Sequence, residues 1–327
     1  MKTQLWDSLI KVLGRVIARY YLKKPSFEYI ISTRYPSASA FFLDSLNQLM
    51  RGLGSTFVFG LTTVTFELTN VCNLKCSICP VNSGMKRKRG LFPLKEYKRI
   101  IDANPLIRRV GLVNWGEPLL HPEFVEFITY ASSKGIHTST TTNAVLLNEG
   151  KCKEIISSGL DIMRFSMDAV GKEYEKIRGH NYLEVKQNIE RFIEYRNRNN
   201  PRMKIEITAV IGNDNEADIG ALKEEWKGKV DFINFQPLLL FQKHSRQQAC
   251  RELWRSLYVL VDGTVIPCCA DYEGLLDVGN AFTQDLEKIW NGRLIRELRR
   301  GHLSRRFQAT CALCSEFSSS RIESRFQ

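Results

Sequence analysis

Nowhere does this 327-residue chain approach the ~18 unbroken apolar residues of a membrane span. It also lacks a basic leader running into an apolar core and a cleavage site, so no secretory signal is expected. It contains no internal repeat. A charged fraction of 25% beside a hydrophobic fraction of 43% excludes disorder, collagen and low complexity for the chain as a whole. Positive charge is in excess: 47 Lys and Arg against 35 Asp and Glu give +12. That balance suits an anionic partner without choosing between nucleotide, nucleic acid and phospholipid. There are nine cysteines, an odd number in a chain too long for a small disulfide scaffold. The expected setting is a reducing one, the cytoplasm, where clustered cysteines hold metal.

Residues 1–60 read as a helical extension. Leu5, Trp6, Leu9, Ile10, Leu13, Val16, Ile17, Tyr20 and Tyr21 recur at helical spacing, and Pro25 marks a stop. Lys11, Arg15, Arg19, Lys23 and Lys24 fall between and after them. A second apolar cluster runs through Phe41, Phe42, Leu43, Leu46, Leu49 and Met50. Two readings stay open for residues 1–24: a basic amphipathic helix in peripheral contact with an anionic membrane, or a helix packing its apolar face on the protein body.

From about residue 62 strand and helix patterns alternate. Val64, Phe66 and Leu68 alternate with polar residues, and further strands are predicted near 108–114, 136–142, 161–167, 204–211 and 231–236. Helices fit at 94–103, 122–134, 148–158, 183–197 and 216–227. Six strands separated by helices imply parallel βα units, whose functional residues collect after the carboxyl ends of the strands. After residue 240 the rhythm breaks into turns and scattered cysteines, which reads as a small second domain over 241–327 following a barrel over 61–240.

The first strand runs into Cys72-Asn-Leu-Lys-Cys76-Ser-Ile-Cys79. Three thiolates on one short loop can hold three irons of a cubane and leave the fourth open. Zinc fits poorly, because a structural site wants four ligands and the nearest histidine along the chain is His121. This loop resembles that of the radical S-adenosylmethionine (SAM) superfamily, with Ile78 where an aromatic residue is commoner. The resemblance implies a partial (β/α)6 TIM-like barrel of the α/β class. It also implies a [4Fe–4S] cluster whose open iron binds SAM, and an external one-electron donor of flavodoxin or ferredoxin type. Reductive cleavage of SAM then yields methionine and a 5′-deoxyadenosyl radical, which abstracts a substrate hydrogen.

Further elements follow the next strands. Asn114-Trp115-Gly116-Glu117-Pro118 looks like the family's glycine-glutamate motif, with Trp115 replacing its first glycine. The resemblance places its backbone and the Glu117 carboxylate at the SAM ammonium. Thr142-Asn143 resembles a Thr-Asn-Gly element in which Ala144 replaces the glycine, and Ser166-Met167-Asp168 a Ser-x-Asp element. These imply that Ser166 meets the SAM carboxylate or ribose and that Asp168 faces substrate. Tyr174 and Arg178-Gly179 resemble another recurring feature, in which Arg178 either pairs with the SAM carboxylate or ties down a loop. Asn215 fits a loosely recurring asparagine. Each element, taken alone, also reads as a hydrogen-bonded βα turn.

The later cysteines are Cys250, the adjacent pair Cys268-Cys269, and Cys311-Ala-Leu-Cys314. Four thiolates make a closed site that suits zinc or [4Fe–4S], and spacing does not decide between them. The run from Cys250 through a hairpin about Asp262-Gly263, then Val278-Gly-Asn280 and Ile289-Trp290, resembles the SPASM/twitch extension of radical SAM enzymes. The full pattern has more cysteines, so a shortened version with one auxiliary [4Fe–4S] cluster is implied. Its expected ligands are Cys250, Cys268, Cys311 and Cys314, with Cys269 as the alternative to Cys268. Cys152, in a predicted helix, reads as a plain buried thiol.

A fully ligated auxiliary cluster fits an electron relay. The resemblance therefore implies oxidation of a C–H bond in a sugar, aminocyclitol or other small molecule. The rival enzymatic reading is a SPASM maturase acting on a peptide or protein. A non-enzymatic zinc or redox protein leaves the strand-end elements unexplained. Nucleic acid is not the expected partner, since Met85-Lys-Arg-Lys-Arg89 reads as a solvated loop.

Overall fold

The structure is a computed structural model and describes residues 37–212, 218–238, 248–312 and 314. The amphipathic segment at residues 1–24 and Asn215 lie outside the described residues. Helix α1 (Ala38–Gly52) precedes the barrel, with Ser37 capping its first turn. Six strands then follow: β1 (Thr63–Phe66), β2 (Arg109–Gly111), β3 (His137–Thr142), β4 (Ile162–Ser166), β5 (Lys204–Ile211) and β6 (Phe232–Pro237). Between them lie α2 (Pro80–Ser83), α3 (Leu94–Ala103), α4 (Phe124–Ser133), α5 (Glu149–Ser157), α6 (Gly171–Arg178), α7 (Tyr182–Asn199) and α8 (Ile219–Trp226). All six strands pair parallel, in the order β6-β5-β4-β3-β2-β1. This is the predicted partial barrel.

The helices form because their apolar residues fall on one face. In α4, Phe124, Phe127, Ile128 and Ala131 are buried, the i, i+3, i+4, i+7 pattern. Asn148 and Asn181 each accept an amide hydrogen bond at the start of α5 and α7. Cys152 is wholly buried in α5. Helix α6 was not anticipated; it is short, strongly charged, and stops where Gly179 turns left-handed.

The C-terminal segment continues the same sheet. β7 (Leu257–Val259) pairs parallel with β1, with Val64 opposite Leu257. β8 (Thr264–Ile266) and β9 (Gly279–Asn280) add antiparallel strands. The predicted hairpin is present, but its first strand covers the β1 edge of the barrel, which would otherwise carry unpaired backbone groups. Helices α9 (Leu286–Trp290), α10 (Arg293–Leu303) and α11 (Ala309–Ala312) complete the segment. Its core holds a buried cation: the Arg299 guanidinium stands 4.4 Å from the Trp290 ring and donates to the carbonyls of Leu253, Thr56 and Trp290. Burial, then Arg296, pulls its pKa down to about 9.

Candidate active site

The expected residues after β1, β2, β3 and β4 meet at the carboxyl ends of those strands. Cys76 is buried, while Cys72 and Cys79 are partly exposed, and all three are free thiols. Four anchors hold their loop. Ser77 N donates to the Ile177 carbonyl at 2.9 Å, and Asn82 Nδ2 donates to the Leu74 carbonyl at 2.7 Å. Asn70 Nδ2 donates to Lys88 O and accepts from Gly90 N, both at 2.9 Å. The Thr69 hydroxyl donates to the Gly90 carbonyl at 2.9 Å.

Donors are aimed at the sulfurs. Leu74 N lies 3.5 Å and Asn143 Nδ2 3.9 Å from Cys72 Sγ, and the Arg178 guanidinium stands against Cys76. With no metal bound, burial pushes the Cys72 thiol up to about 11, and it raises Cys76 and Cys79 as well. Three thiols on one loop, with donors beside Cys72 and Cys76, suit anionic sulfur ligands, whose protons are released on metal binding. Among the described residues no three His, Cys, Asp or Glu side chains converge as they would about a single ion. Ligands of a cubane bind separate irons and have no need to.

Gly116 makes the approach of the second motif feasible. Its φ is +105°, and an added Cβ would come within 2.8 Å of the Val71 carbonyl and 3.0 Å of Asn70 Cα. Glu117 N then donates to Val71 O at 2.8 Å, which docks the motif on the approach to the cysteine loop. The Glu117 carboxylate turns inward. It accepts from Thr142 Oγ1 at 2.6 Å, Asn143 N at 2.8 Å and Leu119 N at 3.1 Å. Burial pushes its pKa up to about 7, against the pull of those three donors. This side chain joins the turn after β2 to the end of β3, and Gly116 beside it stays half-buried. Asn143, beside it, donates to Asn73 Oδ1 at 2.8 Å and so ties β3 to the cysteine loop. Ala144, in the glycine position, has φ +63°.

Asp168 and Arg178 form a buried ion pair at 2.7 Å, and the other Asp168 oxygen accepts from Val210 N at 2.8 Å. Burial disfavours the Arg178 charge, but Asp168 and then Cys76 more than offset it, and the pKa rises. Ser166 is half-buried at the end of β4. Ile78 is 37% exposed between Ser77 and Cys79.

Contacts of Trp115 and Arg87 that sequence reasoning missed join the two cysteine regions. The Trp115 indole donates to the Cys269 carbonyl at 2.9 Å and packs edge-on against Tyr272. Arg87 makes a two-pronged pair with wholly buried Glu67, at 2.7 and 2.8 Å, and donates to the Tyr272 carbonyl. Arg89 donates to the carbonyls of Asn70 and Val81. Two arginines of the basic run, read as solvated, are therefore structural. The one available signal for the Trp115 contact was its replacement of a motif glycine.

Of the second cysteine set, Cys250 and Cys311 are buried within the main hydrophobic core and Cys268 packs against it. The Cys250 N–H donates to His302 Nδ1 at 3.2 Å, and Cys314 N to Cys311 O at 3.4 Å. The neighbouring Cys269 sulfur, then burial, drives the Cys268 pKa up.

Comparison with known proteins agrees with this geometry. Residues 66–224 match the radical SAM superfamily, and residues 250–315 match the SPASM iron–sulfur cluster-binding domain. The chain is 32% identical over 119 residues to the mycofactocin maturase MftC of Mycobacterium ulcerans, covering 36% of this chain and 32% of that one. It is 27% identical over 209 residues to the GTP 3′,8-cyclase of Chlorobaculum tepidum, covering 61% and 58%. The aligned region thus spans less than two thirds of these curated relatives. Two solved structures share the fold. SuiB of Streptococcus suis has TM-score 0.62 and 16% identity, covering 87% of this chain and 78% of that one. BtrN, in complex with AdoMet and 2-DOIA, has TM-score 0.55 and 15% identity, covering 79% and 94%.

The chain belongs to the radical SAM superfamily and carries a C-terminal SPASM iron–sulfur domain. Enzymes of this superfamily catalyse SAM-dependent reactions, and the two domains bring a [4Fe–4S] cluster with SAM and auxiliary iron–sulfur ligation. Among the described residues no helix is long and apolar enough to cross a membrane.

Proposed function

We propose that this enzyme oxidises a C–H bond of a sugar, aminocyclitol or related small molecule. When bound, the reduced cluster and SAM would supply a 5′-deoxyadenosyl radical for hydrogen abstraction, and the auxiliary cluster would supply an acceptor for the electron left behind. Cys72, Cys76 and Cys79 would hold three irons. Cys250, Cys268, Cys311 and Cys314 would hold the second cluster; Cys268 is preferred to Cys269 because it packs against the core that holds Cys250 and Cys311. The Gly116 backbone, Ile78, Asn143 and Ser166 would line the SAM side. Glu117, Thr142 and the Asp168–Arg178 pair act as positioning residues, since their polar groups are engaged with one another and with the strand ends. An external flavodoxin- or ferredoxin-type donor would reduce the first cluster.

The observation that carries this reading is the physical join between the two cysteine regions through Trp115 and Arg87, which suits passage of one electron from site to relay. The fold shared with BtrN, solved in complex with AdoMet and 2-DOIA, supports the small-molecule class. A peptide substrate is the second reading, favoured by the similarity to the maturase MftC and by the fold shared with SuiB, which has been crystallised with its precursor peptide. The test is anaerobic turnover with SAM, reductant and either aminocyclitols or short peptides. Stoichiometric 5′-deoxyadenosine and a ketone from the aminocyclitol support the first reading; turnover of peptides alone supports the second.

A further inference from the structure

Helix α1 is turned inside out relative to an ordinary surface helix. At 3.6 residues per turn, Ala40, Asp44, Asn47 and Arg51 share one face. That face meets the protein: the first three are buried, Asn47 brackets the Phe59 backbone, and Arg51 donates to the Ala249 carbonyl at 3.3 Å. Phe42, Leu46, Leu49 and Leu53 lie half a turn away, at i, i+4, i+7 and i+11. The stripe is half-buried at Phe42 and Leu46 and points away from the body at its C-terminal end, the reverse of the pattern that core packing produces. Leu49 is 57% and Leu53 72% exposed, and Phe57 just beyond them is 47% exposed.

The surroundings are basic. Arg296 of α10 reaches Thr56 at 3.4 Å, which brings α10 beside Phe57; on its outer face Arg293 is paired with Glu297 at 3.3 Å, and Arg296 and Arg300 are exposed. Leu294 on the same helix is 44% exposed. Protruding leucines and a phenylalanine beside arginines are what an interfacial helix presents to lipid: the apolar groups enter the acyl boundary and the guanidinium groups meet phosphate. The chain leading into this helix carries Lys11, Arg15, Arg19, Lys23 and Lys24 among apolar residues, so the charge of the same sign continues upstream.

We infer that the outer face of α1, with Phe57 and the arginines of α10, is a docking surface for an anionic bilayer. The backbone on either side of Cys250 lies against α1, where Gln48 donates to Arg251 O and Arg51 to Ala249 O. Membrane-associated enzyme would then work on substrate at or near the bilayer.

Flotation of the full chain, purified anaerobically with its iron, tests this on vesicles of phosphatidylcholine alone and of phosphatidylcholine with phosphatidylglycerol. Binding is expected on the anionic vesicles, weaker in high salt. The variant Leu49→Ser/Leu53→Ser/Phe57→Ser should bind about tenfold or more weakly, given the worth of three buried apolar side chains. Arg296→Glu/Arg300→Glu should bind weakly in low salt too. All three positions of the serine variant are exposed, and iron content and unfolding temperature serve as folding controls. Unchanged flotation of the serine variant overturns the inference, even if removal of residues 1–24 abolishes binding. So does a change from dimer to monomer on serine substitution, which would make a second copy the occupant. Absence of binding to either vesicle also overturns it.

Discussion

The two cysteine regions are built by different means. Cys72, Cys76 and Cys79 sit on one loop after β1, and short-range contacts hold it: Asn82 to Leu74, Asn70 to Lys88 and Gly90, Thr69 to Gly90. Cys250, Cys268, Cys311 and Cys314 come from separate stretches: Cys250 meets α10 through His302, and Arg87 and Trp115 strap the backbone at Cys269 and Tyr272 to the barrel. The first region is mostly local, with Ser77 to Ile177 and Asn143 to Asn73 as its long-range ties. The second depends on long-range contacts, and its geometry should be the first to fail when those are cut.

The sharpest contrast lies between the cysteines themselves. Cys76→Ala should abolish reductive SAM cleavage, whereas Cys311→Ala should spare cleavage more than product formation; 5′-deoxyadenosine and product assays on one preparation separate the two. Arg87→Met leaves buried Glu67 without its cation, and breaking such a pair costs about 3–5 kcal/mol. Denaturant unfolding should report that loss, and iron should be lost from the second region before the first. Glu117→Ala strands three buried donors at the junction of β2 and β3, for about 3 kcal/mol, and here the first region should suffer most.

Acid should affect both regions through the barrel floor. Burial, then Arg109 and Arg164, pulls the His137 pKa down to about 4 from an ordinary 6.5. The unfolded chain therefore binds this proton more readily than the folded one. The stability at stake is intact above pH 6.5 and is lost as pH falls from there towards 4, a change of about 3 kcal/mol at most. His137→Phe should flatten that slope in unfolding measured from pH 7 to 4. The smallest effect is Ala144→Gly, which relieves a left-handed alanine and should stabilise the β3 turn by about 1 kcal/mol.

The sequence made the barrel legible because each strand and most helices obey a local period. Predicted strands at 204–211 and 231–236 became Lys204–Ile211 and Phe232–Pro237. The site residues after β1 to β4 were legible for a related reason: strand ends converge by topology, so residues that share that position also share a neighbourhood. Partnerships were not legible. Nothing local says that Glu117 faces Thr142 instead of open space, that Asp168 holds Arg178, or that two arginines of a basic run turn inward to Glu67 and Asn70. The parallel pairing of β7 with β1 joins residues nearly two hundred positions apart, and a three-residue strand carries no period by which to foresee it.

Mössbauer spectroscopy of anaerobically purified protein, wild type beside Cys72→Ala/Cys76→Ala/Cys79→Ala, tests the central claim most directly. The wild type should show two [4Fe–4S] clusters, about eight irons per chain, and the triple variant one cluster with about four. Wild-type protein holding zinc in place of iron, or a triple variant that keeps the full iron content, would contradict the account.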